Sequence, residues 1–119
     1  MHKDLMNTIE THIDRTTIQA IAQLIVERFN PEQVILFGSH ARGEVGENSD
    51  VDLLVVLRAD AGQSQRGNPI RRAIAEHFVL PIDVIIRFPE GLAAQRNNPY
   101  SFIHKVLKEG EALYERRAV

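Results

Sequence analysis

Residues 33–57 read QVILFGSHARGEVGENSDVDLLVVL. Gln33-Val34-Ile35-Leu36-Phe37 has the composition of a short, fully buried strand. The run ends at Gly38-Ser39, where the chain must turn. The polar stretch from Ser39 to Asn48 carries Gly43 and Gly46 and predicts one helical turn followed by a loop. A second strand is expected from Asp50 to Leu57. Its odd positions, Val51, Leu53, Val55 and Leu57, are wholly apolar, while its even positions begin with Asp50 and Asp52 and continue with Leu54 and Val56. A strand apolar on both faces belongs inside a sheet covered by helices.

Working outward, Ile18, Ile21, Ala22, Ile25 and Phe29 fall at helical spacing, and Asn30-Pro31 stops that helix. The first dozen residues show no strong period and predict a frayed or short helical start. Ala59 to Gly67 has two glycines and several polar residues, the mark of a loop. Asn68-Pro69 reads as an N-cap with proline at the first helical position, opening a helix with Ile70, Ala73, Ile74, His77 and Phe78 on one face. Leu80-Pro81 ends it, and Ile82-Asp83-Val84-Ile85-Ile86 predicts a third strand. Asn98-Pro99 suggests the start of a last helix bearing Phe102, Ile103, Val106 and Leu107, with Gly110 as its stop and Ala112-Leu113-Tyr114 as a short edge strand. The expected fold is α/β (α+β): a small mixed sheet of three to four strands flanked by helices, with residues 1–119 as a single domain.

Composition narrows the chemistry. A hydrophobic share of 44% and a charged share of 25% are those of an ordinary globular protein. No apolar run approaches the ~20 residues of a membrane span, and the N-terminus lacks the apolar core of a signal peptide, so a cytoplasmic protein is expected. The absence of cysteine excludes disulfides, thiolate metal sites and a cysteine nucleophile. A net charge of −2 lacks the positive surplus of proteins that track along a long nucleic acid. The five histidines, His2, His12, His40, His77 and His104, show no zinc-ligand spacing, and there is no Walker-type phosphate loop. Arg71-Arg72 reads as a solvated helix face.

Asp50 and Asp52 project from the same side of their strand, roughly 7 Å apart along the backbone. Carboxylates so spaced can converge on two hard cations ~3.5–4 Å apart, the separation used in two-metal phosphoryl transfer. Asp83 opens another apolar strand, where it has no core role; if the two strands are neighbours, three carboxylates meet. Such a cluster needs counter-charge, and magnesium with its oxygen-rich shell supplies it. Gly38 permits a close backbone approach, and Ser39 stands at a helix start, where free N–H groups favour phosphate. Arg42 offers a planar fork that suits phosphate oxygens. Taken singly, each has a simpler reading: a solvated turn for the aspartates, an N-cap for Ser39, a surface position for Arg42.

The combination Phe37-Gly38-Ser39-His40-Ala41-Arg42-Gly43, then Ser49-Asp50-Val51-Asp52-Leu53, resembles the signature of the DNA polymerase β-like nucleotidyltransferase superfamily. The chain is most similar to its minimal, single-domain nucleotidyltransferases, and the resemblance extends over nearly its whole length, through Asp83 and the segment Phe102 to Tyr114. By this resemblance Gly38, Ser39 and Arg42 would grip a nucleoside triphosphate, with ATP expected. Asp50 and Asp52 would hold two Mg2+ ions, and Asp83 would complete the catalytic metal site and help deprotonate an acceptor hydroxyl. The resemblance implies transfer of a nucleoside monophosphate, AMP above all. Because the catalytic fold is expected to use nearly all of the chain, acceptor recognition must come from elsewhere. Minimal nucleotidyltransferases pair commonly with HEPN-domain toxins, which implies an antitoxin that adenylylates its partner, with tyrosine the expected acceptor. Two other readings stay open: transfer to a small molecule such as an aminoglycoside, at a homodimer interface, and a non-catalytic antitoxin that only masks its partner.

Overall fold

The computed structural model describes residues 13–43, 50–58 and 68–116. The expectations for the first dozen residues, for the loop around Gly46 and for Ala59 to Gly67 lie outside them. Helix α1 spans Arg15–Phe29. Asp14 caps it by accepting from the Thr17 N–H at 2.9 Å, and Asn30 ends it in the left-handed conformation. Strand β1 (Gln33–Phe37) leads through Gly38 into a single helical turn, α2 (Ser39–Arg42). Strand β2 is Val51–Val56, helix α3 Pro69–Ala75 and strand β3 Ile82–Arg87. Helices α4 (Pro89–Arg96) and α5 (Phe102–Glu109) precede the closing strand β4 (Glu111–Glu115).

The strands form one mixed sheet in the order β3-β2-β1-β4. β1 runs antiparallel to both β2 and β4, whereas β2 and β3 are parallel, joined by the crossover that contains α3. Alternation along β2 divides the core. Val51, Leu53, Val55 and Leu57 join Ile18, Ile21 and Ile25 of α1 and Ile70 and Ile74 of α3 in one buried cluster. Leu54 and Val56 face the other way, with Ile35, Leu92 of α4 and Ile103 and Val106 of α5. Both faces of β2 are therefore buried, which is why its sequence reads as almost continuous hydrophobe.

Asn68 performs two tasks at the start of α3. Its Oδ1 accepts from the Arg71 N–H at 3.0 Å, and its Nδ2 donates to the Val84 carbonyl at 2.8 Å, tying the helix to β3. Two sequence expectations need correction. α3 ends at Ala75, with Glu76 and His77 in a turn, so His77 is exposed while Phe78 still packs on the first cluster. The last helix begins at Phe102 and not at Asn98-Pro99. Ser101 is its cap: the hydroxyl accepts from the His104 N–H at 3.0 Å and donates to the Gln95 carbonyl at 2.9 Å. Asn98 instead accepts from the Tyr100 N–H at 3.0 Å in a local turn. The helix that fills this gap, α4, was not expected from sequence; it buries only Leu92.

Candidate active site

The parallel register of β2 and β3 pairs Asp52 directly with Asp83. On the other side of β2, Phe37 of β1 is the antiparallel partner of Asp52. Across the sheet the order is thus Phe37, Asp52, Asp83, with Asp52 in the middle. Asp50 stands one residue before β2, held there by the Val51 N–H, which donates to the Pro81 carbonyl at 3.0 Å. Asp50 and Asp83 are exposed, while Asp52 is partly buried.

Charge follows from this placement. The carboxyl of Asp52 titrates above the ordinary aspartate range. Burial is the largest cause, since lost water disfavours the charged form; the negative charges of Asp83 and then Asp50 add to it. His40 and Arg42 act in the opposite sense on the same group. The charges of Asp83 and Asp50 therefore both reach Asp52. Among the described residues, however, no three His, Cys, Asp or Glu side chains are drawn together closely enough to hold a metal by themselves. Magnesium binds through one or two carboxylates plus substrate phosphates and seldom in an all-protein cage.

The turn at Gly38 lies against Asp52. Gly38 has φ 77° and ψ −155°, a region essentially closed to residues with a side chain, and a Cβ built there would collide with the Asp52 carboxylate. The glycine thus lets backbone pass directly over the central carboxylate. Its carbonyl accepts from the N–H groups of Ala41 and Arg42, both at 3.1 Å, which starts α2 with Ser39 as its first residue. Gly43 closes the turn in the left-handed conformation, its N–H donating to the Ser39 carbonyl. His40 is buried at 8% exposure, and Arg42 is exposed.

Beyond Gly38 opens a cleft of about 210 Å³, lined by Phe37, Gly38, Arg42, Phe102, Lys105, Val106 and Glu109. Phe37 and Phe102 meet edge to face, ring centres 5.6 Å apart at 80°, which seats α5 against the end of β1. Sequence reasoning singled out none of these α5 residues as functional. A signal was present: Phe102, Lys105, Val106 and Glu109 recur at i, i+3, i+4, i+7 and so share one helix face. Of the six sequence-predicted site residues, Asp50, Asp52 and Asp83 lie at the starts of β2 and β3, Gly38 lies between β1 and α2, and Ser39 and Arg42 are the first and last residues of α2.

Comparison with known proteins identifies the family. A family model described as nucleotidyltransferase domain matches residues 18–119. A protein of Methanocaldococcus jannaschii, provisionally named a protein adenylyltransferase, is 38% identical over 55 residues, which cover 46% of this chain and 54% of that protein. The chain thus matches about half the length of that relative. A second protein of the same organism and the same provisional name is 34% identical over 83 residues, covering 70% of this chain and 78% of the relative. In fold, the chain is similar to a crystal structure of a Sulfolobus solfataricus protein provisionally named a nucleotidyltransferase. The TM-score is 0.54 at 20% identity, over 83% of this chain and 78% of that one. It is also similar to a chain of a crystal structure of a toxin–antitoxin with AMP-PNP, with a TM-score of 0.53 at 17% identity over 83% and 74% of the two chains. With its motif at the ends of β1 and β2 and a family match that runs from α1 through β4, the chain belongs to the nucleotidyltransferase domain family.

Proposed function

We propose that this chain is a magnesium-dependent protein adenylyltransferase that moves AMP from ATP onto a side-chain hydroxyl of a partner protein, with a HEPN-domain toxin as that partner and tyrosine as the acceptor. The observation that carries the reading is the in-register pair Asp52 and Asp83 beside the Gly38 turn. The names of the two Methanocaldococcus jannaschii relatives support the reaction, and the fold shared with the toxin–antitoxin structure is compatible with the partner.

In this reading Asp50 and Asp52 hold two magnesium ions, and Asp83 completes the set. When bound, the ions neutralise the phosphates and lower the pKa of the acceptor hydroxyl. Gly38 and Ser39 present backbone N–H groups and a hydroxyl to the triphosphate, and Arg42 adds positive charge from the end of α2. Asp83, exposed on the open edge of the sheet, takes the acceptor proton. Asp52, half withdrawn from water and flanked by like charges, is fixed in place by the strands on either side of it. Catalysis on such a plan comes from positioning and from charge arranged in advance.

The test is to incubate the protein with magnesium, α-labelled ATP and a co-expressed HEPN protein, beside the Asp50→Asn, Asp52→Asn double variant. Label on a tyrosine of the partner, reduced at least about a hundredfold in the variant, is the expected outcome. A tight complex that takes up no label with any nucleotide would overturn the reading in favour of masking alone.

A further inference from the structure

Resting on that reading, we propose that the cleft between α2 and α5 is the leaving-group side of the reaction, with Lys105 as the cation that holds the β- and γ-phosphates and then the departing pyrophosphate. The argument begins with the order of residues across the sheet. Asp52 lies between Phe37, which lines the cleft, and Asp83, which lies on β3 at the sheet edge. In an in-line displacement the attacking oxygen and the leaving oxygen occupy opposite sides of the phosphorus. If the α-phosphorus sits at Asp52, one of the two flanks takes the acceptor and the other takes the pyrophosphate.

Charge decides which. The β3 flank offers the carboxylate of Asp83, which suits a hydroxyl that must lose a proton and repels a phosphate. Among the described residues that line it, the cleft flank offers Arg42 and Lys105 against the carboxylate of Glu109. The ammonium of Lys105 makes no ion pair or side-chain hydrogen bond among the described residues. It stands one helical turn after Phe102, whose ring packs on Phe37, so its position relative to Gly38 is set by packing. The cleft opens directly on Gly38, the turn that touches Asp52. A triphosphate reaching from Asp52 over Gly38 therefore places its terminal phosphates beside Lys105.

The bonds balance on this geometry. The acceptor oxygen forms a bond to the α-phosphorus, and the bond from that phosphorus to the α–β bridging oxygen breaks. Pyrophosphate leaves with the electron pair into the cleft, while the acceptor proton passes to Asp83 and on to water. Acceptors then approach over the β3 edge, away from α5.

Binding of ATP, of inorganic pyrophosphate and of AMP, each with magnesium, to wild type, Lys105→Ala and Lys105→Arg distinguishes the possibilities by titration calorimetry. Lys105→Ala is expected to weaken ATP and pyrophosphate by about tenfold or more, to leave AMP within about twofold, and Lys105→Arg to recover most of the loss. Wild-type affinity for pyrophosphate in Lys105→Ala, or an equal loss for AMP, would overturn the assignment while leaving the adenylyltransferase reading intact. Wild-type protein that binds neither ATP nor pyrophosphate would sink both. Lys105 is exposed, so unchanged melting temperatures exclude misfolding as the cause.

Discussion

Two glycines flank the same helical turn and tolerate a methyl group very differently. At Gly38 an alanine meets a backbone region costing about 1–3 kcal/mol, and its Cβ collides with the Asp52 carboxylate. At Gly43 the backbone is left-handed but no described residue lies within 4 Å of a built Cβ, so among the described residues the cost is strain alone, about 1–2 kcal/mol. Gly38→Ala should therefore lower the rate of the proposed adenylyl transfer at least about a hundredfold, because it displaces a carboxylate to which the proposal gives a metal ion. Gly43→Ala should stay within a few-fold, and initial rates measured below the melting temperature of both variants check the contrast. Asp52 supports a second prediction. Its carboxyl holds a proton more tightly in the folded chain than in the unfolded one, because of burial first and of Asp83 and Asp50 next. The stability contributed by its protonated form is fully present below the unfolded pKa of about 3.9 and is lost as the pH rises through the folded value. In metal-free buffer at pH 7, Asp52→Asn should thus melt above wild type while losing activity, and the gap should close as the pH falls towards 4. A variant that melts lower at pH 7 would show that the aspartate contributes more to the fold than its charge costs.

Elements also meet closely where α5 passes into β4. Gly110 has φ −80°, open to any residue, so its constraint is one of space: a Cβ there would lie 2.6 Å from the Val106 carbonyl oxygen, 2.7 Å from Ile35 Cγ2 and 3.0 Å from the Leu36 carbonyl oxygen. Gly110→Ala should cost about 1–3 kcal/mol by overpacking, seen as a lower denaturant midpoint with an unchanged slope. It should also weaken ATP binding, since α5 carries Phe102 and Lys105 to the cleft. The stop at Gly110 was legible in the sequence, but the close approach behind it was not, because it depends on β4 pairing with β1. The same division runs through the chain. β1, β2 and β3 were legible almost to the residue, since apolar β-branched runs bounded by Gly, Asp and Pro have few other readings. α4 was not, because Pro89 to Arg96 places one buried leucine among alanines, a glycine and polar residues, too little to show a period. Asn98-Pro99 imitates the helix start that Asn68-Pro69 supplies, yet Ser101 holds the capping bond. For the site, Asp50-Val51-Asp52 was visible as a spacing. The pairing of Asp83 with Asp52 required β2 and β3 to be parallel neighbours, which no local pattern states.

Over the whole molecule, three aspartates lie at the starts of the neighbouring strands β2 and β3, while the cations Arg42 and Lys105 line the cleft beyond Gly38. A metal ion alone meets carboxylates that form no closed cage among the described residues, and a nucleotide alone meets the charges of Asp83 and Asp50 around Asp52, which His40 and Arg42 oppose without reversing their effect. Each ligand supplies what the other lacks, so the two should bind cooperatively. Magnesium by itself, at millimolar concentration, should raise the melting temperature by no more than about 1–2 °C, and ATP with a chelator should do no better. Together, at about a hundred times the dissociation constant, they should stabilise the fold by about 2.7 kcal/mol, a shift on the order of 10 °C for a chain of this length. Because linkage is reciprocal, the factor by which magnesium tightens ATP must equal the factor by which ATP tightens magnesium. Thermal melts over a grid of the two concentrations measure both factors. Additive shifts would mean that the carboxylates and the phosphate side bind independently, contrary to one shared site spanning Asp83, Asp52 and the cleft. A synergistic shift that disappears in Asp52→Asn, and is weakened but kept in Lys105→Ala, would place metal and triphosphate on the same carboxylate with the lysine at the far end.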